Sequence, residues 1–382
     1  MAEAAHPIRY PIIQPTLPDA SELSDLMQRI LASGRVTIGE QVAGLESDVR
    51  ARIGVRHTIA VSSGTSGLMI LLRALNLPAG SEVITPSFTF AATSHALLWN
   101  GLKPVFCDSE PESFTMDASR AEALITERTS ALYPVCIFGV PGDMDSYRQL
   151  ADKYGLALIF DSAQGIGSTY GGRAVGNFGL GEAFSMSPTK VVTAMEGGLV
   201  TTNDDDLAEQ LRYMRDYGKA RDGEDMQWLG LSARMSEINA AVARWSLARL
   251  DTWIANRTAI TERYVERLRG IPGVSFQLVP AGRGSCRNYM VILLDPEESP
   301  LTRDDLYARL KSDGVQTKRY FYPPLHKQTL YRETDPSCAG RLPVAEMVSA
   351  RSLALPMYSH MPLGTVDEIC DRILAHFRWR TP

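Results

Sequence analysis

Between about Thr58 and Thr202, short apolar runs alternate with stretches whose apolar residues recur at helical spacing. The runs are Thr58–Ser62, Glu82–Pro86, Pro104–Asp108, Ala131–Ile137, Ala157–Asp161, Ala183–Ser187 and Leu199–Thr202. Strands alternating with helices in this way predict an α/β sheet whose faces are covered. Polar residues collect where the runs close, at Ser62, Ser63, Ser87, Asp108, Asp161 and Ser185. An open α/β sheet forms its ligand crevice at such strand ends.

From Ser236 to about Arg269 the pattern is helical, with Ile238, Ala241, Val242, Trp245, Leu247, Leu250, Trp253 and Ile254 on the apolar positions. That length suffices to bridge two domains. Beyond it, Val274–Leu278 and Tyr289–Leu294 read as strands, and Leu301–Asp313 and Val366–Trp379 as helices, with Pro323–Pro324 and Pro343 breaking the region between. The expected division is a large domain over residues 1–250, including the N-terminal segment, and a smaller α+β domain over 251–382. No internal repeat or low-complexity segment is visible.

Composition narrows the possibilities. At 382 residues, 45% hydrophobic and 22% charged, the chain can bury a large core. A net charge of -5 without a long basic run gives no electrostatic footprint for nucleic acid or an anionic membrane. No stretch of about 18 apolar residues is present and Met1–Pro7 lacks the blocks of a signal peptide, so a cytoplasmic location is expected. Cys107, Cys136, Cys286, Cys338 and Cys370 are scattered and never spaced as C-x-x-C. They read as packing thiols, with neither a disulfide framework nor a metal site implied.

The chemistry concentrates in Phe160-Asp161-Ser162-Ala163-Gln164, Phe184-Ser185-Met186-Ser187-Pro188-Thr189-Lys190 and Glu196-Gly197-Gly198. One strand delivers a carboxylate, and a second delivers a hydroxyl and a lysine into the same region. Pyridoxal phosphate (PLP) chemistry needs that pairing, an amine to hold the aldehyde as a Schiff base and a carboxylate to keep the pyridine nitrogen protonated. A lone Asp in this position more often caps the next helix, and a lone lysine more often lies on the surface. The lysine reading gains from the glycine turn at Gly197–Gly198 that returns the chain into a strand and holds Lys190 against the sheet. Gln164 offers an amide to the cofactor's phenolic oxygen. The turn Ser62-Ser63-Gly64-Thr65-Ser66-Gly67 leads into a helix at Leu68–Leu75, where free N–H groups favour a phosphate, although taken alone such a turn is more often simple N-capping. In Pro86-Ser87-Phe88-Thr89-Phe90 a phenylalanine either packs in the core or stacks on a flat ring.

As a set and in order, these segments resemble the DegT/StrS family of sugar aminotransferases, which have the PLP fold type I of aspartate aminotransferase. The resemblance also takes in Ser33-Gly34-Arg35-Val36-Thr37-Ile38-Gly39, Arg234-Met235-Ser236-Glu237-Ile238-Asn239, Pro324-Leu325-His326 and Leu355-Pro356-Met357-Tyr358. It implies a mostly parallel seven-stranded sheet covered by helices, plus a smaller C-terminal domain. It further implies that Lys190 forms the Schiff base and shuttles protons, and that Asp161 meets the pyridine nitrogen. Gln164 would touch the phenolic oxygen, Gly64, Thr65 and Ser185 would bind the phosphate, and Phe90 would stack on the ring. His326, Tyr320 and Tyr322 would lie on the substrate side.

Two positions depart from the family pattern. Ser232 stands where the partner subunit's Asn would meet the phosphate in a homodimer, and Met195 stands where many relatives carry Gly or Ser. The reaction implied is transfer of an amino group from L-glutamate or L-glutamine to a keto sugar, foremost a nucleotide-linked 3- or 4-keto-deoxysugar. A keto cyclitol or another ketone is an alternative acceptor. Sugar dehydration is disfavoured because relatives of that kind resemble this family with His in place of the Schiff-base Lys. A non-enzymatic sensor of PLP or a sugar nucleotide is the reading from another class.

Overall fold

Successive side chains of each central strand point into two different cores, as the two-residue period of a strand requires. This is seen in the computed structural model, which describes residues 7–220, 223–334 and 342–377. Ala60, Ile84, Leu132, Leu158, Phe160, Phe184 and Leu199 face one core, while Ile59, Val61, Val83, Ala131, Ile159, Ala183 and Val200 face the other. The strands are β1 (His57–Val61), β2 (Glu82–Pro86), β3 (Lys103–Cys107), β4 (Thr129–Leu132), β5 (Ala157–Asp161), β6 (Thr169–Tyr170), β7 (Arg173–Ala174), β8 (Gly181–Ser185) and β9 (Gly198–Thr202). All but β6 and β7 form a seven-stranded sheet in the order β1-β9-β8-β5-β4-β2-β3. Only β9 runs against its neighbours. Helices Glu40–Ile53, Met144–Tyr154 and Glu237–Leu247 cover the first core, and Gly64–Ala74, Ala91–Trp99 and Asp205–Met214 cover the second. The mostly parallel, helix-covered sheet is the arrangement expected from the sequence.

The C-terminal part carries β10 (Val274–Phe276), β11 (Arg283–Gly284), β12 (Met290–Leu294) and β13 (Ser352–Leu355). Strands β10, β12 and β13 make an antiparallel sheet in that order. One face, with Met290, Ile292 and Leu294, packs against Ile260, Tyr264, Leu306, Val366, Ile369 and Ile373 from three helices. The opposite face, with Val291, Leu293 and Ala354, packs on Phe88, Phe106, Phe138, Phe321 and Leu325. This second cluster seats the C-terminal lobe over the carboxyl ends of the central strands. The N-terminal segment reaches it too, through Tyr10 in the first of these cores and Ile12 in the second.

Several elements differ from the sequence reading. The single bridging helix is two, Glu237–Leu247 and Leu250–Leu268, and apolar periodicity runs through the break without marking it. Arg249 holds the junction, donating to the Trp245 carbonyl at 3.0 Å and lying 4.0 Å over the Trp245 ring. The run at Ala131–Ile137 is a regular strand only to Leu132; beyond it Tyr133 still donates to the Ile84 carbonyl at 2.8 Å and Val135 bridges Asp161, with Pro134, which has no N–H, between them. Pro343, read as a breaker, opens helix Pro343–Arg351 at the position where a missing N–H costs nothing. Strand β13 was not foreseen, since it follows that helix with no turn residue between. Cys107, Cys136, Cys286 and Cys370 are buried free thiols, Cys338 lies outside the described residues, and no metal-ligand cluster occurs among those described. No described helix is long and apolar enough to cross a membrane.

Glu237, from the Arg-Met-Ser-Glu segment, is a fastener within this framework. Its buried carboxylate accepts from the N–H groups of Gly39, Gln41 and Val42 at 2.8, 2.7 and 3.0 Å, so it satisfies the first turn of helix Glu40–Ile53. A Cβ on Gly39 would stand 2.8 Å from the Glu237 Cδ, which explains the glycine. Glu237→Ala is expected to cost about 3 kcal/mol through three orphaned donors, read as a lowered urea midpoint. A midpoint equal to that of the unmodified protein would refute the fastener.

Candidate active site

The crevice at the strand ends is lined by the turns that follow β1, β5 and β8. After β1, Ser63 caps helix Gly64–Ala74 by accepting from the Ser66 N–H at 3.0 Å. Gly64 opens that helix so close to β8 that an added Cβ would lie 2.8 Å from the Ser185 Cβ. Gly198 closes in from β9, where an added Cβ would stand 2.6 Å from the Gly64 nitrogen. Two glycines therefore leave a strand end, a helix N-terminus and the Ser185 hydroxyl around one hollow. Thr65 is exposed in the first turn of the same helix. The capping reading and the anion-cradle reading are both met here, since the cap uses one N–H and leaves others pointing outward.

Asp161 ends β5 and is buried. Its carboxylate accepts from the Thr93 hydroxyl at 2.6 Å and from the Ala163 N–H at 3.0 Å. Burial pushes its pKa above the usual carboxylate value, and the two hydrogen bonds and the charge of Lys190 offset only part of that. A buried carboxylate in this state calls for a cation. Gln164, also buried, accepts from the Phe138 N–H through Oε1 at 2.8 Å, which leaves its amide NH2 as a donor toward the crevice.

Lys190 follows β8 in a turn closed by its own N–H to the Ser187 carbonyl at 3.0 Å. The turn is held from outside by Asn239, whose side-chain NH2 donates to the carbonyls of Ala194 and Glu196 at 2.8 and 2.6 Å. Met195, between them, adopts φ +65°, a conformation glycine takes more readily. The Lys190 Nζ lies 5.8 Å from the centre of the Tyr289 ring. That ring contacts Tyr320 at 5.0 Å and Phe138 at 5.8 Å, so the lobe at β12 is brought to the lysine by aromatic contacts. Burial and Tyr289 push the Tyr320 phenol above its ordinary pKa.

Phe90 caps helix Ala91–Trp99 with 60% of its surface exposed, against a fully buried Phe88, and its only ring contact among the described residues is Phe321 at 6.3 Å. Phe88 is thus the core residue and Phe90 the free ring face. His326 is buried between the Ser87 hydroxyl, 2.6 Å from Nδ1, and Glu346, 3.1 Å from Nε2. Burial lowers its pKa despite Glu346. It belongs to the seam between the sheet and the lobe. Tyr322 is half exposed, between the guanidinium groups of Arg303 and Arg319, and lies on a separate cleft. Ser232 is exposed beside Ala233, whose carbonyl accepts from the Ser62 N–H at 2.8 Å, next to the Gly64 turn.

Sequence reasoning passed over Thr93, Phe138, Tyr289 and Phe321. Thr93 carries a visible signal, a hydroxyl one helical turn after the exposed Phe90. The three aromatic residues carry none, because their partners come from distant parts of the chain.

Known proteins show which family the chain resembles. The model of the DegT/DnrJ/EryC1/StrS aminotransferase family matches residues 19–374. The chain is 34% identical over 354 residues to dTDP-3-amino-3,4,6-trideoxy-alpha-D-glucose transaminase of Streptomyces venezuelae, covering 92% of this chain and 91% of that one. It is 33% identical over 358 residues to the Pleiotropic regulatory protein of Geobacillus stearothermophilus, covering 94% and 95%. The crystal structure of DesI in the presence of its TDP-sugar product superposes with a TM-score of 0.91 at 34% identity, covering 99% of this chain and 95% of that one.

Proposed function

Since the chain belongs to the DegT/DnrJ/EryC1/StrS aminotransferase family, we propose that it moves the amino group of L-glutamate or L-glutamine to a keto sugar carried on a nucleotide. It is a PLP-dependent sugar aminotransferase. The observation that carries the reading is the buried Asp161 carboxylate at the end of β5, paired in register with the strand that leads to Lys190 and beside the Gly64–Ser185 hollow.

The residues present fit the cofactor on three counts. The hollow that a Cβ on Gly64 would fill takes the phosphate, with the helix N-terminus, Thr65 and Ser185 as donors. Asp161 supplies the carboxylate for the pyridine N–H, and the exposed face of Phe90 supplies a surface for the ring. Bound there, PLP acts as the electron sink of the reaction. Lys190 would hold the aldehyde through Nζ, and, once free, Nζ would be the group that takes and returns the proton of the donor α-carbon. Gln164 donates its free NH2 to the phenolic oxygen. Tyr289, with Tyr320 packed on it, flanks the half-buried lysine on one side, and His326 fixes the seam on which the acceptor would lie. In this reading each site is completed across a homodimer near Ser232, and light scattering that shows a fully active monomer would refute it.

Gly64→Ala is expected to weaken PLP binding by at least about tenfold, because the new methyl must displace Ser185 or the helix start. Equilibrium dialysis measures it, and unchanged affinity would remove the phosphate from this hollow. The donor step is tested by the visible absorbance of the PLP-loaded protein before and after L-glutamate or L-glutamine. A cofactor band that decays with one of them identifies the donor, and a band that ignores both overturns the proposal. The regulatory name of the Geobacillus relative favours a second reading, a sensor that binds the same ligands without turnover. Multiple turnovers with a nucleotide-linked keto sugar would exclude it.

A further inference from the structure

Ile137 and Val140 exchange backbone hydrogen bonds at 3.1 and 2.9 Å, closing a tight turn with Phe138 and Gly139 at its tip. Both tip residues have positive φ, +56° and +95°. A two-residue turn of this hand is ordinarily built from Asn-Gly, because a bulky side chain is strained in the left-handed region. The glycine is explained locally, since a Cβ there would stand 2.9 Å from the Cys286 Sγ and 3.1 Å from the Asn288 nitrogen. The phenylalanine has no such local reason. Backbone strain of this kind persists only where the surroundings enforce it, and it collects at functional sites.

Its ring is what holds it there. Phe138 is fully buried, stacked on Phe321 at 5.7 Å and 19°, and met edge-on by Phe88 and Tyr289, each at 5.8 Å. What the conformation achieves lies in the backbone. The Phe138 N–H donates to Oε1 of Gln164 at 2.8 Å while its carbonyl accepts from the Asn288 N–H at 3.1 Å. An N–H can only donate, so it selects the oxygen of the Gln164 amide and turns the NH2 the other way, toward the crevice. Without that donor the amide is free to turn over and bring its oxygen to the place of the NH2. We infer that Phe138 is a positioning residue of amino transfer: seated by aromatic rings of the C-terminal lobe, its left-handed backbone fixes Gln164 so that a donor, and not an acceptor, meets the phenolic oxygen of the cofactor. The inference rests on the reading that the site holds PLP.

A donor at the phenolic oxygen favours the deprotonated form of the bound cofactor, so it lowers the pH at which the visible band changes, and losing the donor raises that pH. A pH titration of the visible band of the PLP-loaded protein therefore tests the assignment. Gln164→Met, of similar length but without an amide, sets the scale and should raise the midpoint by about one pH unit. Phe138→Ala loses the ring and with it the left-handed backbone, and should show at least about half of that rise. Phe138→Asn also loses the ring, yet asparagine accepts the left-handed region, and its midpoint should stay with that of the unmodified protein. Lost core packing alone would treat the two variants alike. Thermal melts establish that each folds, and where one does not, Phe138→Leu replaces the alanine variant and Phe138→Gly the asparagine variant, with the same expectations. An unmoved midpoint in the alanine or leucine variant, or an equal rise in the asparagine or glycine variant, would overturn the role of Phe138 while leaving the cofactor reading standing. So would a Gln164→Met midpoint equal to that of the unmodified protein. If the unmodified protein forms no visible band with PLP, the cofactor reading fails and the assignment falls with it.

Discussion

Lys190→Ala is expected to reduce amino transfer by at least about a thousandfold, because it removes both the group that holds the cofactor and the group that moves the proton. No neighbour can take over. Nζ lies 5.8 Å from the ring centre of Tyr289, a phenol with no basic nitrogen, and His326 is committed to Ser87 and Glu346. Lys190→Arg should be as inactive, since a guanidinium keeps the charge but is neither a nucleophile nor a base near neutral pH. Both variants should still take up PLP, measured by dialysis, because the Gly64–Ser185 hollow and Asp161 are untouched. Steady-state turnover within tenfold of the unmodified protein would exclude Lys190 from the chemistry.

Asp161→Asn should separate activity from stability. The amide has the same shape and can still accept from the Ala163 N–H while donating to the Thr93 oxygen, so the local hydrogen bonds survive. It cannot hold a proton on the pyridine nitrogen, and amino transfer should fall by about a hundredfold or more. The protein without cofactor should respond in the opposite direction. The folded pKa of Asp161 lies above its unfolded value, so this group contributes stability below the unfolded pKa and loses it as pH rises through the folded one. At neutral pH the carboxylate is therefore a liability until a cation joins it, and the Asn variant without PLP should melt at or above the temperature of the unmodified protein without PLP. Added PLP should then raise the melting temperature of the Asp form more than that of the Asn form. An unchanged rate, or an Asn form that melts well below the Asp form, would sink the assignment.

These two residues show why so much of the site was legible in the sequence. Asp161 and Lys190 each terminate or follow a continuous apolar run, and the register Asp161↔Ala183 brings β5 and β8 side by side. A reader of the chain needs only the strand pattern to put them in one crevice. The glycines at 64, 197 and 198 were visible for the same reason, because close backbone approach leaves a residue type behind. What stayed hidden depends on contacts between distant segments. Tyr289 lies just before β12 and Phe321 sits in an irregular stretch beside prolines, and nothing in their local sequence tells that both meet Phe138 or that Tyr289 meets the lysine. Tyr322, one residue beyond Phe321, faces a different cleft altogether. The break at Arg249 was equally silent, because no proline or glycine marks it.

The lone reversed strand has a consequence for how such a protein can change over generations. Because β9 returns antiparallel beside β8, with Ser185 opposite Gly198, the excursion that carries Lys190 begins and ends at the same rung of the sheet. It is a closed cassette, clipped from outside by Asn239. Met186, Val191, Val192 and Ala194 anchor it in the core, whereas Lys190 and its half-exposed neighbours can be substituted, and the reaction altered or abolished, while every strand keeps its neighbours. The fold and the chemistry are thus separately heritable, and a new activity can be sampled here without first passing through an unfolded ancestor.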